Sequence, residues 1–411
     1  MALEERFTRD GGFSADGVRL ADILAVQATP FYLYAASVIR EKYRRLKQHF
    51  PGFDVCYSLK ANPNLEVVRV LAALGAGAEV SSRAELRTAL AAGISPGNIV
   101  FVGPAKTTPD IEAAIDAGVH ALVVDSADEL EQVENAARQR GRPMSTLLRI
   151  NTMEQPAAQE KMVGGPSKFG FDEETVARDA GGVKLNHAQV AGIQVYSASQ
   201  SLDAGFIINH IEYVLSLAER LSRRLGLKLT CIDFGGGFGV PYNEADPELD
   251  LAAIAQATDR LLDRHKPGIS DCRLLFESGR YVVAESGVFA TQVVRVKESR
   301  GRMFAICDGG MNGFSRPVFM RISHPVRLLN RIAEPASTEV DVCGPICTPL
   351  DCIGRAARLP RPEPGDIVGF LNAGAYGYTM SLLDFMSLGR PAELMADSGQ
   401  LRVIREPVGQ T

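Results

Sequence analysis

The sequence predicts an α/β chain built as a (β/α)8 barrel with a C-terminal β-rich domain. Three observations carry this. Apolar runs of strand length recur at about 53–59, 77–81, 98–102, 120–125, 145–150, 190–196, 229–234 and 273–277. Stretches of helical period lie between most of them, at about 64–74, 83–92, 108–117, 127–140, 172–180, 203–225 and 248–266. After about residue 284 the helical period fades, and strand-like runs at 288–296, 303–307 and 366–371 are broken by Pro and Gly. An open doubly wound sheet is the competing arrangement. Eight regular units over about 250 residues favour closure.

A chain of 411 residues can bury a large core and divides into about two domains. The barrel is assigned to residues 30–283. Residues 1–29 and 284–411 are assigned to a β-sandwich or β-barrel domain. Within 1–29 the pattern is mixed, and 20–26 fits a helix turn or a strand end. Phe31-Tyr32-Leu33-Tyr34 reads as a short strand, and Ser37 as the cap of a helix running to about His49. Ser82, Thr108, Ser126 and Asp203 stand where helices need an N-cap. Gly75, Gly93, Gly118, Gly141 and Gly226 stand where helices end. The Pro-rich stretch 359–365 reads as a surface loop.

Composition excludes several classes. Hydrophobic residues make up 46% and charged residues 23%, ordinary for a globular chain. A net charge of −5 without a long basic run argues against nucleic acid or an anionic membrane as partner. No apolar run reaches 18 residues, and residues 1–10 are charged, so neither a spanning helix nor a signal peptide is expected. The expected location is the cytoplasm. Seven cysteines without zinc-type spacing read as free thiols, and no metal site is expected.

The chemistry starts at Tyr57-Ser58-Leu59-Lys60-Ala61-Asn62-Pro63-Asn64. Lys60 ends the first strand and faces a loop. A lone Lys there is usually a solvated charge. The sharper reading is an amine held in a cleft to form a Schiff base with an aldehyde cofactor. In a (β/α)8 barrel the active site lies at the carboxyl ends of the strands, and the loops after strands 7 and 8 often hold phosphate. Strand 7 leads into Gly235-Gly236-Gly237-Phe238-Gly239, where backbone amides can approach an anion. As a bare glycine run it would more often be a turn. Strand 8 leads into Glu277-Ser278-Gly279-Arg280, strand 6 into Tyr196-Ser197-Ala198-Ser199, and strand 5 ends in Arg149. One rim thus gathers an amine, an anion cradle, an aromatic face and a carboxylate. Pyridoxal 5'-phosphate uses each: the carboxylate pairs with the pyridine nitrogen and keeps the ring an electron sink.

The chain resembles the fold-type III pyridoxal-phosphate decarboxylases, the group of ornithine and diaminopimelate decarboxylases with an alanine-racemase-like barrel. The landmarks come in the family's order: YSLKAN at 57–62, Glu79 to Ser82, SKFG at 167–170, GGGFG at 235–239, ESGR at 277–280, DGGM at 308–311, GPICTPLD at 344–351 and GAYG at 374–377. The resemblance implies that Lys60 holds the cofactor and that Glu277 faces its ring nitrogen. It places Gly236, Gly237, Gly279, Arg280, Ser199 and Tyr376 around the phosphate and Tyr196 on the ring. It implies a homodimer with shared active sites, in which Cys347 of the second subunit reprotonates the substrate carbon. The plain reading of Cys347 is a small buried residue, and that of Tyr376 a packed ring. Arg149, Asp308, Arg316 and Thr348 are the substrate-binding candidates.

Two departures bear on the substrate. Tyr196 stands where most of the family has His, so an acid–base role given to that His does not carry over. Thr348 stands where diamino-acid decarboxylases have Asp or Glu for the distal ammonium, and a buried ammonium without such a partner is costly. VYSASQSLD, ESGRY, CTPLDCIG and NAGAYG resemble a narrower group, the butirosin-type decarboxylases that act on glutamate joined through its side chain to an acyl carrier protein. The stretch 311–326 departs from that group. It is similar to diaminopimelate enzymes near Arg316, and to siderophore-pathway decarboxylases of citrate-conjugated amino acids near His324-Pro325. Arg316 could bind a substrate carboxylate or form a surface ion pair. Arg316, Arg321 and Arg327 form a candidate docking surface for a carrier, or simply a solvated face. The expectation is a decarboxylase of a side-chain-conjugated amino acid in specialised-metabolite biosynthesis. The alternatives are a decarboxylase of a free diamino acid or of a citryl conjugate, a racemase of the same barrel family, and a non-catalytic cofactor-binding regulatory homologue.

Overall fold

The computed structural model describes residues 6–153, 160–161, 163–243 and 245–409. The chain forms two compact units. One is Tyr43–Val240 with Pro247–Tyr281, the other Met1–Lys42 with Pro241–Asp246 and Val282–Thr411.

The first unit is the barrel. Its strands are β1 (Asp54–Ser58), β2 (Gly77–Val80), β3 (Ile99–Phe101), β4 (Ala121–Val124), β5 (Met144–Asn151), β6 (Ala188–Gln194), β7 (Cys231–Asp233) and β8 (Arg273–Ser278). Each lies on one of the apolar runs. All pair in parallel, β8 returns to β1, and β4 pairs with β5, so the sheet closes. Both faces of a closed parallel sheet are covered, which is why its strands read as continuous apolar runs rather than alternating ones. Cys56, Val100, Val123, Leu147, Cys231 and Leu275 belong to one buried cluster of these strands.

The helices that follow β1 to β7 are α1 (Leu65–Ala72), α2 (Arg83–Ala91), α3 (Thr108–Ala117), α4 (Ala127–Arg140), α5 (Val176–Gly181), α6 (Ala204–Leu225) and α7 (Leu251–Ile269). Ser82, Ser126 and Asp203 accept amide hydrogen bonds at the starts of α2, α4 and α6. Helix α3 corrects the expected cap by one residue: Thr107 caps it, in a reciprocal box with Asp110. A Thr beside a Thr gives no sequence signal for which one is the cap; Asp110 three residues after Thr107 decides it.

In the second unit the strand Phe31–Ala35 lies between Gly287–Ser299 and Ala392–Asp397. These belong to a nine-stranded sheet. Residues 20–26 form a helix, Leu20–Val26. Ser37 sits one residue inside the helix Ala36–His49, and its amide and hydroxyl both bond Asp16. The core holds Phe7, Phe13, Ile23, Phe31, Leu33, Val288, Leu371 and Leu394. Among the described residues no helix is long and apolar enough to cross a membrane.

An aromatic cluster supports one sector of the barrel. Phe276 in β8 stacks on Phe53, with centroids 4.2 Å apart, and meets Phe238 edge-on at 5.2 Å. Phe234 packs on Phe53 at 5.4 Å. Phe234 and Phe238 bracket the glycine run, and Phe276 precedes Glu277. Truncating Phe276 to Ala leaves a buried void, and such changes cost about 3–5 kcal/mol. The expected result is a large downward shift of the chemical-denaturation midpoint. An unchanged midpoint would show that the cluster does not hold this sector.

Candidate active site

Parallel strands deliver all their carboxyl ends to one rim. Lys60 lies there in the single turn Leu59–Ala61 after β1. Local hydrogen bonds fix that turn. Tyr57 Oη donates to Asn62 O at 2.9 Å, Asn64 N donates to Asn62 Oδ1 at 3.1 Å, and Asn64 caps α1 through the Glu66 amide. These are the jobs of the YSLKANPN residues around the lysine.

Lys60 Nζ donates to Glu79 Oε2 at 2.5 Å. Glu79 is fully buried near the end of β2, and Ser58 pairs with it in register. Glu277 of β8 is buried and accepts from Gln194 Nε2 at 3.1 and 3.2 Å. Burial, then the charge of Glu79, pushes its carboxyl up to about 7. Asp233, fully buried at the end of β7, is held well above the usual carboxylate range by burial and by Glu277. Glu79, Glu277 and Asp233 therefore form one buried carboxyl cluster, with the Lys60 amine paired to Glu79. Asp233 and Glu277 share a side-chain hydrogen bond, and Gln194 Oε1 has no hydrogen-bond partner among the described residues.

The glycine run wraps against this well. Gly235 and Gly237 have φ of 61° and 112°, a region that favours glycine. A Cβ on Gly236 would lie 2.2 Å from Glu277 O and 3.6 Å from the Tyr196 ring. Only glycine therefore lets the loop pass between the carboxylate strand and the ring. Among the described residues no acceptor takes the amides of Gly236 or Gly237. Gly279 packs just as closely on the lysine turn, since its Cβ would meet Ala61 Cβ at 2.8 Å. Arg280 is buried and donates to Ser199 Oγ at 3.1 Å. Lys60, Tyr196, Ser199, Gly236, Gly237, Glu277, Gly279 and Arg280 thus lie on the carboxyl-end rim.

Arg149 is on the rim too, in register with Gln194. Its guanidinium lies 4.3 Å over the Phe169 ring and 3.9 Å from Asp125. With Lys60, Ser81, Phe101, Lys106 and Phe169 it lines a cavity of about 310 Å³. Lys106 is buried and ion-paired to Glu129 at 2.9 Å. Gln194, Asp233 and Lys106 escaped the reading from sequence. The available signal was position: Gln194 and Asp233 are polar residues ending apolar strands.

The remaining candidates lie in the second unit. Cys347 is exposed, which corrects the reading of a small buried residue. Its loop is held by Asp351, whose buried carboxylate accepts from the amides of Met311 and Ile346, both at 2.7 Å. The Thr348 amide donates to Ile346 O at 2.8 Å. Tyr376 has φ of 56°, unusual for a bulky residue. Arg316 corrects the surface-ion-pair and docking-surface readings: it is 1% exposed, sandwiched near the rings of Tyr242 at 5.2 Å and Tyr376 at 5.6 Å. The Asp308 carboxylate accepts the hydroxyls of Thr29 and Thr291 and the Gln292 amide, which tie it to the sheet.

A model of the pyridoxal-dependent decarboxylases, described as their pyridoxal binding domain, matches residues 36–284. An L-glutamyl-[BtrI acyl-carrier protein] decarboxylase of Niallia circulans is 34% identical over 92% of this chain and 91% of its own. A diaminopimelate decarboxylase of Pseudomonas aeruginosa is 35% identical over 97% and 94%. The crystal structure of diaminopimelate decarboxylase from Helicobacter pylori complexed with L-lysine superposes with a TM-score of 0.87 at 32% identity, covering 94% of this chain and 96% of that one. The rim fits the pyridoxal cofactor that the matching family model names. Its glycine amides and Arg280 suit a phosphate, and its surplus of buried carboxyls suits a protonated pyridine nitrogen. The chain belongs to the fold-type III pyridoxal-dependent decarboxylases and is a pyridoxal-phosphate-dependent carboxy-lyase of an amino acid.

Proposed function

We propose that the substrate is an amino acid conjugated through its side chain, such as a glutamyl thioester on an acyl carrier protein, and that the enzyme works in the cytoplasm in specialised-metabolite biosynthesis. One observation carries this: among the described residues that line the lysine cavity, no carboxylate is spare to receive a distal ammonium. Lys60, Lys106 and Arg149 line it against one carboxylate, Asp110, which is engaged by Arg83 and Thr107. Thr348, beside Cys347, brings no charge. The Niallia circulans relative, whose name gives a carrier-bound glutamyl substrate, supports the same reading. The diaminopimelate decarboxylases of similar identity support a second one, a free diamino acid.

In this proposal Lys60 holds the cofactor. Gly236, Gly237, Gly279, Arg280 and Ser199 bind its phosphate, joined by Tyr376, and Tyr196 lies on its ring. Glu277, steadied by Gln194, takes the pyridine N–H. When bound, the cofactor supplies an electron sink for the pair released as the α-carboxylate leaves. Glu277 keeps the proton on the ring nitrogen, and Glu79 holds the Lys60 ammonium. Cys347 of a second copy delivers a proton to the α-carbon. Phe319, Leu350 and Phe385 of the second unit are 51%, 58% and 49% exposed, large apolar side chains that suit a homodimer interface.

Three outcomes are expected. Lys60→Ala abolishes carbon dioxide release; full activity would remove the lysine from the mechanism. Mass spectrometry of a substrate panel shows loss of carbon dioxide from the carrier-bound glutamyl thioester at far higher kcat/KM than from diaminopimelate, ornithine or lysine. The reverse ranking would favour the free diamino acid. Third, a carboxyl raised by the fold costs stability as pH climbs from its unfolded value to its folded one, about 7 for Glu277. Cofactor-free Glu277→Gln should therefore melt above the unmodified apoprotein at pH 7.5, by up to about 3 kcal/mol, with the gap closing toward pH 4.5. It should also bind the cofactor more weakly. A lower melting point at pH 7.5 would contradict this.

A further inference from the structure

Three of the seven cysteines fall within ten residues, at 343, 347 and 352. Cys343 ends the strand Thr338–Cys343, and Cys352 begins the strand Cys352–Leu359. The two strands are antiparallel, and the register sets Cys343 directly opposite Cys352. Directly opposed residues of such a pair have Cα atoms about 4.5–5.5 Å apart, inside the range of about 4.4–6.8 Å that a disulfide spans. The Gly344 amide donates to Asp351 O at 3.1 Å, so the backbone next to the pair is already joined. Both thiols are free of any disulfide and hydrogen-bonded to each other, with weak contacts of 3.9 Å to the Asp341 and Gly354 carbonyls. No other cysteine has a cysteine as its strand partner: Cys56 faces Gly77 and Glu277, Cys231 faces Gly192 and Arg273, and Cys307 faces Val293.

We propose that Cys343 and Cys352 form a reversible disulfide that clasps the base of the loop carrying Cys347, with a small disulfide such as glutathione disulfide as the oxidant. One thiol of the pair, as thiolate, attacks one sulfur of glutathione disulfide and releases one glutathione as thiolate. The other, losing its proton, then attacks the cysteine sulfur of that mixed disulfide and releases the second glutathione. Two thiols are oxidised, one external disulfide is reduced, and the two protons end on the two glutathiones. The span between the sulfurs, residues 344–351, holds Cys347, Thr348 and the anchoring Asp351. Oxidation therefore ties the two strand ends from which that loop springs. The bond does not depend on the role proposed for Cys347.

The test uses the full chain with its cofactor, equilibrated in graded mixtures of glutathione and glutathione disulfide, then alkylated and mapped by mass spectrometry. The expected result is loss of two titratable thiols, a mass lower by about 2 Da, and a linked Cys343–Cys352 peptide that dithiothreitol reverses. Cys343→Ser should give no cross-link and leave a glutathione adduct on Cys352. The clasp should also slow alkylation of Cys347 severalfold in the unmodified protein and not in Cys343→Ser. Free Cys343 and Cys352 beside a glutathionylated Cys347 would overturn the proposal. So would a cross-link that joins Cys347 to either neighbour, or an unchanged Cys347 alkylation rate. The wild-type map decides the case even where a Ser variant fails to fold.

Discussion

The site is organised by a surplus of buried carboxyl groups beside one amine. Glu79 and Asp233 are fully buried and Glu277 nearly so, while the lysine turn offers one ammonium, already engaged by Glu79. Burial disfavours the charged forms of the other two: Asp233 stays well above its ordinary pKa, and Glu277 is pushed up to about 7. A protein that spends stability on such a cluster gains a place where a protonated heterocycle is favoured over water. The rest of the rim follows from that constraint. Phe53, Phe234, Phe238 and Phe276 hold β8 and the glycine loop so that Glu277 N donates to Gly235 O at 2.8 Å. The phosphate cradle and the carboxylate are thus set by the same packing.

The second unit is organised differently. Its exposed thiol stands on a loop fixed from below by one buried carboxylate, Asp351, packed so closely that a Cβ on Gly310 or Gly344 would lie within 2.5 Å of it. Burial raises the pKa of Asp351, while the Met311, Ile346 and Gly344 amides lower it. Arg316, buried against Tyr242 and Tyr376, helps hold Tyr376 at a backbone angle it would not adopt in a free loop. Loop and ring are both held in place before any substrate arrives.

The barrel was legible because each strand is a continuous apolar run and the helices carry local start and stop residues; Ser82, Ser126 and Asp203 do what their types suggest. Legibility failed where the deciding partner is far away in sequence. The strand Phe31–Ala35 is short and apolar like a barrel strand, yet its partners lie near residues 287–290 and 392–396. Asp308 and Arg316 are charged residues that read as substrate-binding candidates from the chain alone, and only the fold shows that one is bonded by Thr29 and Thr291 while the other is buried against rings. Gln194 and Asp233 are ordinary polar residues in the chain, and they matter because closure of the barrel brings β6, β7 and β8 side by side.

Difference infrared spectroscopy of cofactor reconstitution at pH 6 tests the carboxyl well most directly. The apoprotein should show protonated-carboxyl absorption that is lost as the cofactor binds and Glu277 ionises against the pyridine N–H, and Glu277→Gln should lack that change. A wild-type spectrum with no loss of protonated carboxyl on binding would contradict it.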